Sequence, residues 1–410
     1  MNSEMTMLSE VAFVANTPAM VQAHESLSLQ SDTAFRWFDS VTEIAPGDWA
    51  RCFESSRFAR SHSYQQAVEA SAPHGVRFQY LVAYRENSVL AIVGCFRSRI
   101  PLSTTATGSA RKVMSAIERL LPDVFSINAF FVGQLTAVCD HLFGLEQLEE
   151  TQRSSFLTQC EPSIRQRAKE LGSSVIIHKE IPEEDLAVVS EALGDDYVIA
   201  SSLPAMELSL RSTEPYSKQL RKKYRVHYKR RQRLADERGL SWDVHRGPLS
   251  DELAENIERL YFQVLERSGT QFERLSASYF SSMMEHCPGA SIVLCRDGER
   301  LVGFMINVES VHDFHGLYLG YDPAYRDAAV YFNLIYRSLD VALEQGYQSI
   351  HLGQTSYEIK SALGAKRTNL HLALRATSPI VHAFIKIFRK HLFPEVDVPT
   401  RRAFPVNEAG

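Results

Sequence analysis

The chain has 410 residues, 45% hydrophobic and 23% charged, with a formal net charge of -5 at pH 7. That length exceeds the roughly 250–300 residues over which one hydrophobic core keeps growing, so two domains are expected. The composition excludes a disordered chain. The negative charge excludes global attraction to a polyanion and leaves any such site to a local basic patch.

The six cysteines, Cys52, Cys95, Cys139, Cys160, Cys287 and Cys295, stand singly without CxxC spacing. They are expected to be reduced thiols, with no metal site. Met1 to His24 carries Glu4 and Glu10 and lacks both a basic leader and a sustained apolar run. Residues 1–30 are therefore read as a flexible N-terminal extension rather than a signal peptide. No window approaches the roughly 18 apolar residues of a membrane span, so a cytoplasmic protein is expected.

In chain order, the first half reads as a strand at Phe35–Phe38, helices near Trp49 and Tyr64–Ala70, and strands at Phe78–Tyr84 and Val89–Arg97. An inserted helix, Ala110–Leu121, precedes a strand at Phe130–Val138, a helix at Ile164–Leu171, a strand at Ser174–His178, a helix at Asp185–Leu193 and a last strand at Ala205–Leu210. Residues 31–212 thus form one α/β domain, ending near Arg211 to Pro215. A basic helix follows within 213–240. It holds ten Lys or Arg between Lys218 and Arg238, with Leu220, Tyr224 and Tyr228 as an apolar stripe.

The second half, 241–400, opens with a strand at Ser241–His245, a helix at Glu252–Arg267 and another at Ser278–His286. Strands at Ser291–Arg296, Leu301–Glu309 and Phe314–Tyr321 make an antiparallel meander, the first two joined at Asp297-Gly298. After Asp322-Pro323 comes a helix at Val330–Gln345, stopped by Gly346, then a strand at Ser349–Leu352, a helix at Tyr357–Leu363 and a strand at Leu370–Arg375. The order β-α-α-β-β-β-α-β-α-β occurs twice without sequence identity, which points to a duplicated α/β (α+β, mixed-sheet) unit.

Three segments carry a family resemblance: SKQLRKKYRVHYKRRQRLADERG at Ser217–Gly239, YFNLIYRSLDVALEQGYQSIHLG at Tyr331–Gly353, and TSYEIKSALGA at Thr355–Ala365. With the doubled element order, they make the chain resemble the GNAT acyltransferases, in particular the FemAB-like double-GNAT branch. The best-known members of that branch transfer amino acids from aminoacyl-tRNA onto peptidoglycan precursors. The resemblance implies tandem GNAT-like domains with the chemistry in the second. One departure is plain: the loop before Val330 reads DPAYRDAAVYF and lacks the glycines of the (Q/R)xxGx(G/A) pattern used by coenzyme A-dependent GNAT enzymes.

Amide formation by direct transfer requires backbone N–H groups that polarise the donor carbonyl and a helix N-terminus that holds donor phosphates. The strand Phe314–Tyr321 and the helix from Val330 supply these elements, with Arg326, Tyr331 and Asn333 as donor-binding candidates. On strict alternation, His315, Leu317, Leu319 and Tyr321 share one face of the strand, opposite Gly316, Tyr318 and Gly320. Tyr318 or Tyr321 is a candidate acid for the leaving group, and the bland alternative for either is packing. His351 is the best base by residue type, or else a hydrogen-bonded core histidine. Gln354 flanks it across Gly353. Tyr357 and Lys360 sit three apart on the next helix. The resemblance implies that Lys360 stabilises charge on the donor or transition state, against the alternative of a surface lysine. Arg221, Lys222 and Arg225 of the basic helix are candidates for phosphate contacts, or else a solvated charge run. His312 and His315, read on one strand, would point to opposite faces and make no joint metal site.

These readings favour an N-acyltransferase that forms an amide from an acyl thioester and an amine such as an amino acid or biosynthetic intermediate. No tightly bound cofactor is expected; acyl-CoA or an acyl carrier protein thioester is the donor substrate. One alternative keeps the fold and makes aminoacyl-tRNA the donor. The other is a catalytically inactive scaffold that binds a polyanion.

Overall fold

A computed structural model describes residues 33–53, 57–73, 75–101, 126–136, 142–145, 148–267 and 274–405. The anticipated N-terminal extension and the inserted helix at Ala110–Leu121 lie outside these residues. The first half runs β1 (Thr33–Phe38), α1 (Pro46–Cys52), α2 (His62–Ala70), β2 (Arg77–Arg85), β3 (Ser88–Pro101), β4 (Ser126–Val132), β5 (Phe143–Gly144), α3 (Glu150–Glu170), β6 (Val175–Pro182), α4 (Leu186–Leu193), β7 (Val198–Ser201) and β8 (Ala205–Ser209). Two basic helices follow, α5 (Tyr216–Gln219) and α6 (Lys222–Glu237). The second half runs β9 (Ser241–His245), α7 (Asp251–Leu265), α8 (Ala277–His286), β10 (Ala290–Asp297), β11 (Arg300–Glu309), β12 (Phe314–Tyr321), α9 (Val330–Glu344), β13 (Ser349–His351), α10 (Tyr357–Leu363), β14 (Lys366–Thr368), β15 (Leu370–Ala376) and α11 (Pro379–Leu392).

Local chemistry sets these bounds. Ser250 caps α7 by accepting from the Leu253 amide, and Ala254, Ile257, Leu260, Tyr261 and Leu265 bury one face. Gly346 ends α9 at φ +87°, with the amides of Gly346 and Tyr347 donating to Leu343 and Ala342. The single basic helix anticipated at Ser217–Gly239 is broken instead. Leu220 and Arg221 turn extended, Leu220 is buried, and the Arg221 amide donates to Ala403. The helix expected from Ile164 starts earlier, at Glu150, and carries Pro162 inside it. The third strand of the first meander lies at Ser126–Val132, earlier than expected.

The two sheets share one topology. The first is ordered β1-β2-β3-β4-β6-β15-β7, with β5 added on β3; the second, read from β9, is β9-β10-β11-β12-β13-β8-β14. Each has an antiparallel meander followed by a parallel pair, β4 with β6 and β12 with β13. The sixth strand of each sheet comes from the opposite half. β8, expected to close the first domain, pairs antiparallel with β13 and β14, whereas β15, expected in the second, lies between β6 and β7. Sequence patterning specifies a strand but not its sheet, so the exchange was invisible to it. A core cluster also crosses the halves, combining Phe58, Tyr64 and Val68 with Ile257, Phe280 and Phe304, and the Tyr64 and Tyr279 hydroxyls lie 3.3 Å apart.

The parallel pairs differ. β4 pairs with β6 over four residues, Ala129 to Val132, the last residues of β4. β12 pairs with β13 only at Phe314 and His315, then continues to Tyr321. The second sheet therefore parts at its centre. Beside the opening, Gly316 pairs with Asn307 and Tyr318 with Ile306, leaving Leu317 as a bulge.

Because each sheet needs a strand from the other half, residues 31–212 and 213–405 expressed separately should each lack cooperative unfolding, and co-expression should restore it, as read by far-UV circular dichroism melts. A second expectation concerns Gly320, where a Cβ would lie 2.7 Å from the Leu260 backbone. Gly320→Ala should lower stability by about 1–3 kcal/mol in urea unfolding, because α7 cannot approach β12 past a methyl group.

Candidate active site

The bulge reverses part of the expected facing of β12. Tyr318 packs against Tyr261, Tyr279 and Phe280 beneath α7 and α8, the side on which His315 meets Phe58. Tyr321 turns to the α9 side, where its ring lies 6.0 Å from Tyr331. Strict alternation placed His315 with Tyr321 and apart from Tyr318; one extra residue at Leu317 exchanges these relations. The opening thus has two differently furnished sides.

On the α9 side, Asp322 organises the loop before the helix. Its Oδ1 accepts from the Ala324 amide, and its Oδ2 pairs with Arg300 at 2.6 Å. Ala329 then adopts φ 54°, a left-handed geometry at which glycine is the usual residue. Arg326 is exposed on this loop. Tyr331 reaches across the opening, its hydroxyl bonded to Ser356, with burial raising its pKa. Asn333 is buried and ties α9 to α6, donating to the Arg231 and Ala329 carbonyls at 2.9 and 3.1 Å. Asn307 was missed by sequence reading. It is fully buried opposite Gly316, and neither Nδ2 nor Oδ1 has a hydrogen-bond partner among the described residues. A buried amide left in this state calls for a donor-and-acceptor partner, which a ligand amide supplies. A strand asparagine amid apolar neighbours was the available signal.

On the α7 and α8 side, the rings of His315 and His351 are stacked 4.5 Å apart at 17°. Asp313 Oδ1 lies 3.6 Å from His351 Nε2, an ion-pair distance. The contact with His351 holds the Asp313 carboxyl below its ordinary range. Burial, reinforced by His351, pushes His315 down to about 3 and keeps it neutral. One donor atom from each of the three side chains lies within 4.8 Å of the others. His312, read as part of the strand, lies in the turn before it. Asp313 was not anticipated because its partner is remote in sequence.

Gln354, Tyr357 and Lys360 gather behind the loop that follows β13. Gly353, Thr355 and Ser356 all have positive φ there, a strained run beside the opening. Gln354 Nε2 donates to Leu203 at 2.7 Å and the Tyr357 hydroxyl to Pro204 at 3.0 Å, pinning the loop to the segment between β7 and β8. Lys360 is 7% exposed and donates to the Gln354 carbonyl at 2.5 Å. Its surroundings lower its pKa to about 7. No described hydrogen bond joins Lys360 to Tyr318 or His351.

On the basic helix, Arg225 closes the break by donating to Lys218 and Leu220, while Arg221 and Lys222 are exposed. A pocket of about 190 Å³ is lined instead by Lys223, Tyr224, His227, Arg231, Tyr336 and Arg401, among others. Arg231 lies 3.4 Å over the Phe332 ring and donates to the Tyr336 hydroxyl at 2.8 Å. The i, i+4, i+8 spacing of Lys223, His227 and Arg231 was the legible signal.

Two expectations follow. Lys360 releases its proton at lower pH in the folded than in the unfolded protein, so the cost of burying its charge is complete below pH 7 and relieved as pH rises towards 10.5. In urea unfolding, the stability of Lys360→Met relative to the parent should therefore fall between pH 7 and 10, by on the order of 4–5 kcal/mol at most. Ala329→Gly should raise stability by about 1 kcal/mol by relieving the left-handed alanine.

A family model described as an acetyltransferase (GNAT) domain matches residues 222–361. No curated protein matches the chain in sequence. Among solved structures, that of FemX aligns over 86% of this chain and 100% of its own, at a TM-score of 0.52 and 10% identity. A tandem GNAT protein from the clavulanic acid biosynthesis pathway aligns over 85% and 99%, at a TM-score of 0.51 and 12% identity. At such identity the likeness is one of fold, and it extends over both halves. The parted sheet therefore lies within an acetyltransferase (GNAT) domain, and the chain as a whole has a fold similar to that of tandem GNAT proteins.

Proposed function

We propose that the protein is an N-acyltransferase that forms an amide between an acyl thioester, of coenzyme A or a carrier protein, and an amine such as an amino acid or biosynthetic intermediate. The observation that carries this reading is the parting of β12 from β13 after two residue pairs, with opposed furnishings on its two sides. The donor arm lies on the α9 side, where Asn307 meets an amide of the arm and the N-terminal turn of α9 faces its phosphates. The acyl carbonyl reaches the bulge at Leu317, where backbone N–H groups freed from the ladder stabilise the developing oxyanion.

The acceptor enters on the α7 and α8 side. Its nitrogen attacks the carbonyl carbon, the C–S bond breaks, and the amine proton passes to His351, oriented by Asp313; the thiolate is protonated from Tyr318 or solvent. His315 stays neutral and supports the imidazole by stacking. Lys360, Tyr357 and Gln354 act by holding the strained loop at the opening.

A second reading, with aminoacyl-tRNA as donor, is favoured by the cations of α6 around the pocket at Lys223 and Arg231. Pure protein incubated with acyl thioesters and an amine library should release free thiol. His351→Gln should lower kcat/KM by about 10²- to 10⁴-fold, and Asp313→Asn by less, with circular dichroism unchanged. Absence of turnover with every thioester, together with acceptor-dependent deacylation of charged tRNA, would replace the first donor by the second.

A further inference from the structure

α11 went unassigned in the sequence reading, and the acyl-transfer site makes no use of it. We propose that this helix docks the enzyme on an anionic lipid bilayer, lying in the plane of its surface. Ile380, Val381, Phe384, Ile387, Phe388 and Leu392 recur at one-face helical spacing, and all are exposed, Ile380 by 83% and Ile387 by 74%. No residue of the helix is buried. Its attachment is made by the other flank: the Ala376 amide donates to His382 Nδ1, and Arg389 donates to the Ile199 carbonyl of β7. The apolar flank is thus turned away from the protein, with the Phe384 and Phe388 rings 4.7 Å apart upon it.

The helix is nevertheless well defined. Ser378 caps it, accepting from the Val381 amide, and Pro379 occupies the first turn. It spans about 21 Å, long enough to lie across several headgroups but too short to cross a bilayer. No helix among the described residues is long and apolar enough to span a membrane.

Charge selects the occupant. Residues 379–392 contain Lys386, Arg389 and Lys390 with His382 and His391, and no acid, in a chain of net charge -5. Glu395 and Asp397 follow on the segment that leads away. On the helix, Lys386 and Lys390 border the apolar arc on the side not taken by the first sheet. There their stems extend along the acyl boundary while their ammonium groups reach phosphate. A second copy of the chain packed on the same face would set like cations along the seam, whereas an anionic headgroup layer complements them. The segment after α11 returns to the second domain, where Arg401 pairs with Glu358 and Phe404 packs on Tyr216. Docking therefore holds both domains at the lipid surface.

The test is co-sedimentation of the full chain with vesicles of phosphatidylcholine alone or mixed with phosphatidylglycerol. The expected result is binding to the mixed vesicles that weakens with salt, little binding to phosphatidylcholine, and loss of binding in the Ile380→Glu, Phe384→Glu, Ile387→Glu triple variant with unchanged circular dichroism. Lys386→Gln with Lys390→Gln should weaken binding to mixed vesicles roughly 25-fold. Absence of binding to mixed vesicles at low salt would overturn the proposal. So would a concentration-dependent dimer, abolished by the triple variant, in a protein that ignores vesicles, since that face would then belong to a second copy.

Discussion

The structure depends on a reciprocal exchange of one strand. β8 completes the second sheet and β15 the first, so neither half buries its central strands alone. Backbone groups at a sheet centre must be paired, and the partner each needs is covalently attached to the other half. The shared aromatic cluster around Tyr64, Tyr279 and Phe280 then fixes one domain against the other. The wall beside His315 is consequently a rigid boundary, with Phe58 of the first domain in contact with the imidazole.

Duplication has produced one closed sheet and one open sheet from the same strand order. In the first, β4 is paired with β6 through its last residue, Val132. In the second, the bulge at Leu317 and the brevity of β13 leave six residues of β12 beyond the last parallel pair. Glycines suit this half of the strand, since a methyl group at Gly316 would meet Met305 and one at Gly320 would meet Phe304 and the Leu260 backbone. The open edge is bordered by left-handed residues at Ala329, Thr355 and Ser356, strain held in place by the hydrogen bonds of Gln354, Tyr357 and Lys360. Strain and unpaired polarity collect around one opening, as expected where a ligand completes the structure.

The electrostatics of the two sides differ in kind. Around His351, an ionised Asp313 and a neutral His315 are held together by burial and mutual proximity. Around α6 and Arg401, cations line a pocket with tyrosines, a surface suited to phosphate. A chain of net negative charge thus keeps its positive field local, at this pocket and at the lipid-facing helix.

The elements of the second half were legible in the sequence because their signals are local: helical spacing in Asp251–Leu265 and Val330–Glu344, a turn at Asp297-Gly298, a stop at Gly346. The family resemblance was legible from the basic segment and the two stretches after it. Residue type alone nominated His351 and Lys360 for examination. Only the tertiary structure brought Asp313 and His315 to His351, put Tyr318 on the side of His315, left Asn307 buried without a partner among the described residues, and exchanged β8 for β15. Each of these depends on strand register or on partners far apart in the chain. A sequence pattern has period but no register, so a one-residue bulge or a choice between two equivalent sheets lies beyond what it encodes.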